Sequence, residues 1–413
     1  MRSEVLVIGA GAAGMMAAWR AASRGRRVVL LEKNSKPGVK ILMSGGTRCN
    51  LTHHTDRRGI VQAFGDQGRF LHSALAALGP AELVAWFAQS GVATKVEETG
   101  KVFPVSNSAV DVQQALVRRC REAEVDLRLK HGVTHLERDE LGFVARTEQG
   151  NFQSRQLVVT TGGRSYPGCG TTGDAYAWLA DWGHTIVAPV PALVPLKVTA
   201  PWLVQLAGLT MPETHVEVRL AGVQGKSAVL AQRRGSLLFT HVGVSGPVVM
   251  DVSRAVSRVS PDQSLVLRCD FLPGEPLDQT MAWVRTAAAE EGRRPVAAVL
   301  STRWPRRLVE LAMSERRVPI DRRGADLSKV ELRELVEFLR QLELPVRGTL
   351  GFAKAEVTAG GVSLREVSSQ TMGSKLIPGL FLAGEVLDLD GPIGGFNFQA
   401  AFSTGYLAGS SLA

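Results

Sequence analysis

The chain opens on Val5-Leu-Val-Ile-Gly-Ala-Gly-Ala-Ala-Gly14, continues through small residues to Arg24, and then reads Val28-Val-Leu-Leu-Glu32. This order predicts a β-strand, a glycine-rich turn, a helix and a second strand that ends in an acid. Gly9, Gly11 and Gly14 suit a tight turn, close approach of a pyrophosphate to the backbone, and close packing of helix on sheet. The opening stretch therefore predicts a Rossmann-like α/β fold that binds a dinucleotide.

The ligand at this stretch is expected to be FAD or NAD(P). The N-terminus of the predicted helix offers N–H groups to phosphates. Glu32 follows Gly14 by eighteen residues, where a carboxylate accepts hydrogen bonds from ribose hydroxyls and disfavours the 2′-phosphate of NADP. The residues predicted to contact the cofactor here are Gly9, Ala10, Gly11, Ala12, Ala13, Gly14, Glu32 and Lys33.

Length and composition are typical of a soluble globular protein, and the use of cysteine favours the cytoplasm. At 413 residues the chain has room for two or three domains. It has no run of about 18 uncharged apolar residues and no signal-peptide pattern, so we expect no membrane span. The four cysteines are scattered, which is typical of free thiols in a reducing compartment and predicts no metal site. They are Cys49, Cys120, Cys169 and Cys269.

The net charge of +9 is concentrated in one segment. Nine arginines and three acids lie between Arg293 and Arg323. Such a cluster can bind nucleic acid or an acidic partner, or it can be an ordinary solvated helical face. Few aromatic residues interleave with the arginines, which argues against base stacking. A small molecule is therefore the expected substrate, with nucleic acid the less expected partner and no oligomeric state predicted.

A second glycine-rich segment follows Glu32 and is expected to lie over the cofactor. Its small residues allow close backbone approach, and its polar side chains suit a flavin ring or a phosphate. The predicted contacts are Lys40, Ser44, Gly45, Gly46, Arg48, Cys49 and Asn50. Helical spacing of apolar residues then predicts helices within 66–90 and over 109–122.

From Val125 to Thr161 the period changes to two, which predicts five short strands that include a three-stranded meander. Meanders of this kind occur in FAD-binding folds of the two-dinucleotide-domain type. Val133 is expected near the adenine. Thr161, Gly162 and Gly163, with Asp174 at the end of a glycine-rich loop, are further predicted contacts.

Three prolines near residue 190 predict a domain boundary. We expect the first part of the cofactor domain over 1–192 and an inserted domain over 193–345. The insert divides into a β-rich, barrel-like part, 193–272, and a helical, basic part, 273–345. The second part of the cofactor domain is expected over 346–413.

The last part of the chain favours FAD over NAD. Gly379-Leu-Phe-Leu-Ala-Gly-Glu385 predicts a strand that ends in an acid, and Gly391-Pro-Ile-Gly-Gly-Phe-Asn-Phe-Gln399 opens a predicted helix over 400–407. The acid suits a ribityl hydroxyl, and a helix N-terminus suits the flavin N1–C2=O edge. The predicted contacts are Gly384, Glu385, Gly394, Gly395, Phe396, Asn397 and Phe398.

These motifs resemble the HI0933-like family of bacterial FAD flavoproteins, also called the BaiN or YhiN type, in its shorter-insert branch. The resemblance covers essentially the whole chain. Its motifs are 8–14, Gly45-Gly-Thr-Arg-Cys-Asn50, Gly162-Gly-Arg-Ser-Tyr-Pro167 with Gly173-Asp174, Phe239 to Pro247, Ala355 to Gly361, and Gly384-Glu385 through Gln399. It implies an FAD domain split by an insert and an NAD(P)- and FAD-dependent oxidoreductase. One branch of the family reduces C=C bonds conjugated to a ketone in steroid-like substrates.

The sequence departs from the family pattern near the expected substrate side. The departures are the doubled His53-His54 and the run Gly168-Cys169-Gly170-Thr171. They argue against carrying over a steroid substrate. The candidate proton donors are Tyr166, which lies in a glycine-rich loop, and His241, because histidine titrates near neutral pH. Cys49 has no C-x-x-C partner, so disulfide reduction is not expected.

Three functions stay open at this point. The first is an FAD-dependent oxidoreductase that acts on a small or medium organic substrate, with C=C reduction beside a carbonyl as one form. NAD(P)H is the expected transient reductant, although no second fingerprint is visible and the donor need not be a nicotinamide. The second is an amine or amino-ketone oxidase that uses O₂. The third is an RNA-binding or tRNA-modifying flavoprotein.

Overall fold

The computed structural model describes residues 2–260, 262–290 and 294–413. These form two compact units, which are described separately. The first unit comprises Met1–Ala192 and Phe352–Ala413, and the second comprises Leu193–Gly351.

The strands and helices alternate along much of the chain. The strands are β1 Arg2–Ile8, β2 Val28–Glu32, β3 Thr52–His53, β4 Thr94–Val96, β5 Lys101–Pro104, β6 Asp126–Leu129, β7 Val133–Asp139, β8 Gly142–Thr147, β9 Gly150–Val159, β10 Ile186–Ala192, β11 Leu196–Val198, β12 Thr210–Leu220, β13 Val229–Phe239, β14 Gly243–Ser245, β15 Leu265–Asp270, β16 Leu342–Thr349, β17 Val357–Val362 and β18 Leu380–Leu382. The α-helices are α1 Ala12–Ala22, α2 Val39–Met43, α3 Arg57–Ala63, α4 His72–Ala77, α5 Pro80–Gln89, α6 Ala109–Glu122, α7 Asp174–Asp181, α8 Leu203–Leu206, α9 Pro247–Arg258, α10 Leu277–Glu290, α11 Val296–Leu300, α12 Arg306–Glu315, α13 Lys329–Arg340 and α14 Phe396–Ser411.

A central sheet of parallel strands organises the first unit. Its order is β6-β2-β1-β9, with β18 also pairing in parallel with β9. β1 and β2 are apolar and buried over most of their length, as strands covered on both faces must be. β1 has β2 on one side and β9 on the other, so the chain order reverses there. Ligands of such sheets bind at this reversal, beyond the carboxyl ends of the strands.

The segment 125–161 contains one strand fewer than the sequence predicts. The period-two pattern predicts five strands between 125 and 161, but the structure has β6, β7, β8 and β9. β9 is one ten-residue strand. Its first half pairs antiparallel with β8, and its second half pairs in parallel with β1 and β18. A single strand therefore joins the meander to the central sheet.

Helices α1 and α14 pack against each other through small residues. A Cβ at Gly405 would lie 2.3 Å from the Ala13 carbonyl oxygen, and one at Gly409 would lie 2.4 Å from that of Ala17. α14 is longer than the predicted 400–407 because it begins at Phe396, directly after Gly395 in a left-handed conformation. The two ends of the chain are thus packed together.

A closed barrel with the strand order β11-β14-β13-β12-β15-β16 forms the centre of the second unit. Alternate residues of β12 and β15 point inward and are fully buried, among them Val216, Val218 and Leu267. Helices α9 to α13 complete this unit's own hydrophobic core. The structure confirms the predicted α/β class with a meander and a barrel-like part.

The second unit ends six residues after the predicted boundary at Pro345. The second unit continues to Gly351 because β16 runs through Pro345 and pairs with β11 and β15. Proline has no N–H to donate, but its carbonyl oxygen accepts the N–H of Thr199. The last strand of the barrel therefore follows the helical part instead of preceding it.

Within the described residues, no single helix has the length and apolar character needed to cross a membrane. The bent pair 65–77 and 80–89 reaches that length only when its two segments are taken together.

Candidate functional site: a dinucleotide crevice in the first unit

The turn between β1 and α1 uses its three glycines in three ways. Gly9 has φ +98°, and a Cβ there would lie 2.6 Å from the Thr160 carbonyl oxygen. A Cβ at Gly14 would lie 1.8 Å from the carbonyl oxygen of Gly9, so helix and turn are in direct contact. A Cβ at Gly11 would meet no protein atom within 4 Å. The space beside Gly11 thus fits a pyrophosphate at the N-terminus of α1.

Glu32 braces this turn at the end of β2. It is buried, its Oε2 accepts the N–H of Ala10 at 2.8 Å, and its Oε1 accepts the N–H of Asn34 at 2.8 Å. Each carboxylate oxygen can accept a further hydrogen bond. Beside it, Lys33 Nζ forms an ion pair with Asp174. Glu32, Lys33 and Asp174, all predicted contacts, are therefore brought to one edge of the sheet.

The start of the meander lies beside Glu32. The N–H of His131 donates to the Glu32 carbonyl oxygen at 2.8 Å. A Cβ at Gly132 would lie 3.2 Å from Cβ of Lys33. β7 begins at the next residue, Val133, so the predicted adenine side of the crevice is next to the acid at the end of β2.

The loop 44–50 is held mainly by bonds within the protein. Gly45 and Gly46 have positive φ. Arg48 pairs with Glu97 at 2.6 Å and lies 3.9 Å above the Phe103 ring. Asn50 Oδ1 accepts the N–H of Val102. Arg48 and Asn50 thus have protein partners, and their predicted contacts with the cofactor stay a prediction.

A network around Glu385 joins four distant segments of the first unit. Glu385 Oε2 accepts from Lys40 Nζ at 2.5 Å, and Oε1 accepts from Ser165 Oγ at 2.5 Å and from the Thr358 N–H at 2.8 Å. Lys40 Nζ also donates to Ser165 Oγ at 2.6 Å. Lys40 and Glu385 were predicted site residues, whereas Ser165 and Thr358 were missed. Serine and threonine are too common for their positions to stand out in the sequence.

The loop after β9 and helix α7 each carry a buried polar atom that has no partner among the described residues. Thr161 Oγ1 and the Tyr176 hydroxyl are buried and make no hydrogen bond with any described residue. Burial, with the nearby Glu385 carboxylate, raises the pKa of Tyr176. Position 163 requires glycine, because a Cβ there would lie only 2.3 Å from Thr358 Oγ1. Buried polar atoms without partners are expected where a polar ligand binds.

The second half of the crevice lies at the start of α14. Gly394 and Gly395 have positive φ, and Phe396 stacks on His53 with ring centroids 4.6 Å apart. Asn397 Oδ1 accepts the Gly391 N–H at 2.8 Å, which fixes the preceding loop. Gly384 N–H donates to Thr404 Oγ1, while Phe398 packs against Phe402. The N-terminus of this sixteen-residue helix is therefore built to face a ligand.

The two candidate proton donors lie in different units. Tyr166 is in the first unit with φ +56°, its N–H bound to the Phe352 carbonyl oxygen and its carbonyl accepting from Cys169. His241 is exposed in the second unit, in the turn between β13 and β14. Their roles stay predictions.

All four cysteines are free and buried. Burial raises the pKa of Cys49 to about 12 and that of Cys120 to about 12. These thiols are neutral at physiological pH and are poor nucleophiles.

Stability should fall as the pH rises above about 9. The ordinary thiol pKa is 9.0, and the folded-state pKa of Cys49 is raised, so the unfolded chain loses this proton first. Between pH 9 and the raised pKa, each buried thiol of this kind lowers the free energy of unfolding by about 1.4 kcal/mol per pH unit. Urea unfolding at pH 8 and pH 10 measures the effect, and Cys49→Ala should show a smaller loss. Equal losses in the two proteins would contradict it.

Most arginines of the basic segment have partners within the second unit. Arg303 pairs with Glu275, Arg306 with Glu310 and Arg322 with Glu331, while Arg307 donates to the carbonyl of Gln205 and Arg316 lies over Phe338. Arg293 lies outside the described residues. At least five of the nine arginines therefore have a partner among the described residues of the second unit, and three of them form ion pairs.

Two glycine-rich helix starts at the carboxyl edge of one parallel sheet, each near a buried or half-buried acid, define an FAD-binding flavoprotein. The residues present fit FAD, because Gly11 leaves open space for its pyrophosphate and the crevice holds polar atoms without protein partners.

The chain belongs to the HI0933-like family: the model described as "HI0933-like protein Rossmann domain" matches residues 3–411. The chain is 33% identical over 418 residues to the ribosomal RNA dihydrouridine synthase of Haemophilus influenzae, with 99% of this chain and 98% of that protein covered. The Escherichia coli protein of the same name is also 33% identical over 418 residues, with 100% and 98% covered. The 3-dehydro-bile acid delta(4,6)-reductase of Clostridium scindens is 31% identical over 414 residues, with 100% and 99% covered.

A solved structure shares the fold. The 3-ketosteroid-delta4-(5alpha)-dehydrogenase of Rhodococcus jostii has a TM-score of 0.50 and 17% identity, with 100% of this chain and 96% of that chain covered. With its family and these relatives, the chain is an FAD-dependent oxidoreductase.

Proposed function

We propose that the protein reduces a C=C bond conjugated to a carbonyl, and that its substrate is uridine in ribosomal RNA. The observation that carries this proposal is the similarity over the whole chain to two ribosomal RNA dihydrouridine synthases at 33% identity. Dihydrouridine is uridine with two hydrogens added across C5=C6, a bond conjugated to the C4 carbonyl.

The relative with a different substrate supports the same reaction type. The name of the Clostridium protein describes reduction of double bonds in a 3-oxo bile acid. In uridine, hydride adds to C6, which is β to the C4 carbonyl, and a proton adds to C5, the α-carbon. A steroid-like enone is therefore the second candidate substrate, favoured by the 31% identity to that reductase.

FAD, when bound and reduced, supplies the hydride equivalent. Gly9, Gly11 and Gly14 would hold its pyrophosphate, Glu32 its ribose, and the α14 N-terminus its N1–C2=O edge. Lys40 keeps the Glu385 carboxylate neutralised within the crevice. Tyr166 and His241 are the proposed sources of the proton for the α-carbon. NAD(P)H is the proposed reductant.

The deciding experiment has two parts. Holoprotein is mixed anaerobically with NADH and with NADPH, and the loss of flavin absorption identifies the reductant. The reduced protein is then given ribosomal RNA from a strain that lacks this gene, or a steroid 4-en-3-one. We expect a 2 Da mass increase at a uridine, because two hydrogens are added.

The contrary outcomes are distinct. If only the steroid enone were reduced, the substrate would be a steroid-like enone and not uridine. Flavin reduction by an amine, with peroxide formed from O₂ and without NAD(P)H, would identify an oxidase and overturn the proposal. Protein that carries no FAD provides the background for each measurement.

A further inference from the structure

A polar cavity of about 220 Å³ lies on the outer face of the barrel in the second unit. β12 contributes His215 and Glu217 to its wall, and β15 contributes Arg268 and Asp270. On both strands the alternate residues point into the barrel core, so these four side chains share the outer face. The end of α13 adds Arg340. The cavity is thus part of the folded barrel and helix α13.

The acid on the floor of this cavity is already neutralised. Arg340 has a side chain that is only 6% exposed, and it donates to both oxygens of Asp270, at 2.6 and 2.9 Å. It also donates to Thr280 Oγ1 and to the Glu275 carbonyl oxygen, each at 2.6 Å. This bidentate pair is rigid, and it leaves Asp270 with little net charge to repel an anion.

Arg268 is the charge that has no partner. It is half-buried, and its side chain makes no hydrogen bond or ion pair with any residue that the structure describes. Carboxylates stand beside it in register on both neighbouring strands, Glu217 on β12 and Glu343 on β16. Glu217 is instead bound to Arg219 at 2.7 Å, and Glu343 forms no ion pair with a described residue. Because the Arg268 guanidinium forms no ion pair with either neighbouring carboxylate, its N–H donors are free to bind an incoming anion.

We propose that this cavity, the Arg268 pocket, binds a phosphate group. The planar guanidinium of Arg268 can donate to two oxygens of a tetrahedral oxyanion, and the imidazole N–H of His215 is a further donor. The volume accommodates a phosphate group and is smaller than the pockets of drug-sized ligands. The phosphate belongs either to the RNA backbone or to a free phosphate ester. The first of these two assignments rests on the proposed function.

The first test uses inorganic phosphate and does not depend on the proposed function. The thermal midpoint of the holoprotein is measured against phosphate, with chloride at equal ionic strength as the reference. Arg268→Gln should weaken phosphate binding about tenfold, the effect of one charge-assisted hydrogen-bonded pair. Arg333→Gln is the matched control, because Arg333 is 68% exposed on α13 and paired with Glu337. Equal phosphate responses in Arg268→Gln and the parent protein would overturn the proposal.

The second test distinguishes the two sources. The affinity for an unmodified RNA oligonucleotide is measured between 50 and 200 mM salt. When a protein contacts RNA phosphates, the logarithm of the binding constant falls roughly linearly with the logarithm of the salt concentration. If Arg268 contacts an RNA phosphate, Arg268→Gln should reduce the magnitude of this slope by about one. An unchanged slope with lost response to inorganic phosphate would assign the pocket to a free phosphate ester. Failure to form dihydrouridine leaves the inorganic phosphate result intact, so the two proposals fail separately.

Discussion

Gly11→Val is expected to abolish retention of FAD while the apoprotein remains folded. Gly11 has φ −80° and ψ −167°, an extended conformation that valine adopts, and a Cβ there meets no protein atom within 4 Å. The added side chain would fill the space proposed for the pyrophosphate. Loss of several charge-assisted hydrogen bonds should weaken FAD binding on the order of 100-fold or more. Flavin absorbance per protein after purification measures the result.

Two other glycine variants make this test specific. Gly168→Val should retain FAD, because Gly168 has the same open space around it but is not among the residues predicted to contact the cofactor. Gly14→Ala should instead destabilise the fold, since its Cβ would lie 1.8 Å from the Gly9 carbonyl oxygen. Valine at the N-cap of α1 should lower the free energy of unfolding of Gly11→Val by at most about 1 kcal/mol. A folded Gly11→Val protein that retains FAD at the parent level would contradict the pyrophosphate assignment.

Arg340→Met is expected to lower the unfolding free energy by about 3 kcal/mol. The variant removes two bonds to Asp270 and leaves a largely buried carboxylate without its counter-charge. Urea unfolding monitored by circular dichroism measures the change. Arg333→Met, which breaks an exposed pair on the same helix, should cost less than about 0.5 kcal/mol.

A double variant tests the cause of this loss. Arg340→Met combined with Asp270→Asn should recover part of the stability, because no uncompensated charge then remains. If Arg340→Met were as stable as Arg333→Met, the ion pair would have no role in holding α13 to the barrel.

The local motifs of the cofactor domain could be predicted because their requirements are local. The turn at Gly9 and Gly14 needs glycine for positive φ and for close contact, and both needs are visible in a ten-residue window. The helix 109–122 was predicted with the bounds that the structure has, because its apolar residues recur at helical spacing.

The barrel shows where sequence reasoning failed. The insert was predicted to end at Pro345 because the glycine-rich motifs of the last part of the chain are similar to those of the first domain. The structure instead carries β16 through Pro345, because the two partner strands of β16 hold the chain extended on both sides. Strand pairing over more than seventy residues leaves no local signal. The single strand β9 was divided in two for the same reason.

The sequence by itself determined the cofactor class, since two glycine-rich helix starts near acids specify a flavin dinucleotide through short-range geometry. Only the tertiary structure decided which side chains meet. Lys40, Ser165, Thr358 and Glu385 come together over a separation of 345 residues. Arg268 is left without a partner although acids stand beside it in register. Both depend on the direction of individual side chains in a packed fold, which spacing along the chain does not encode.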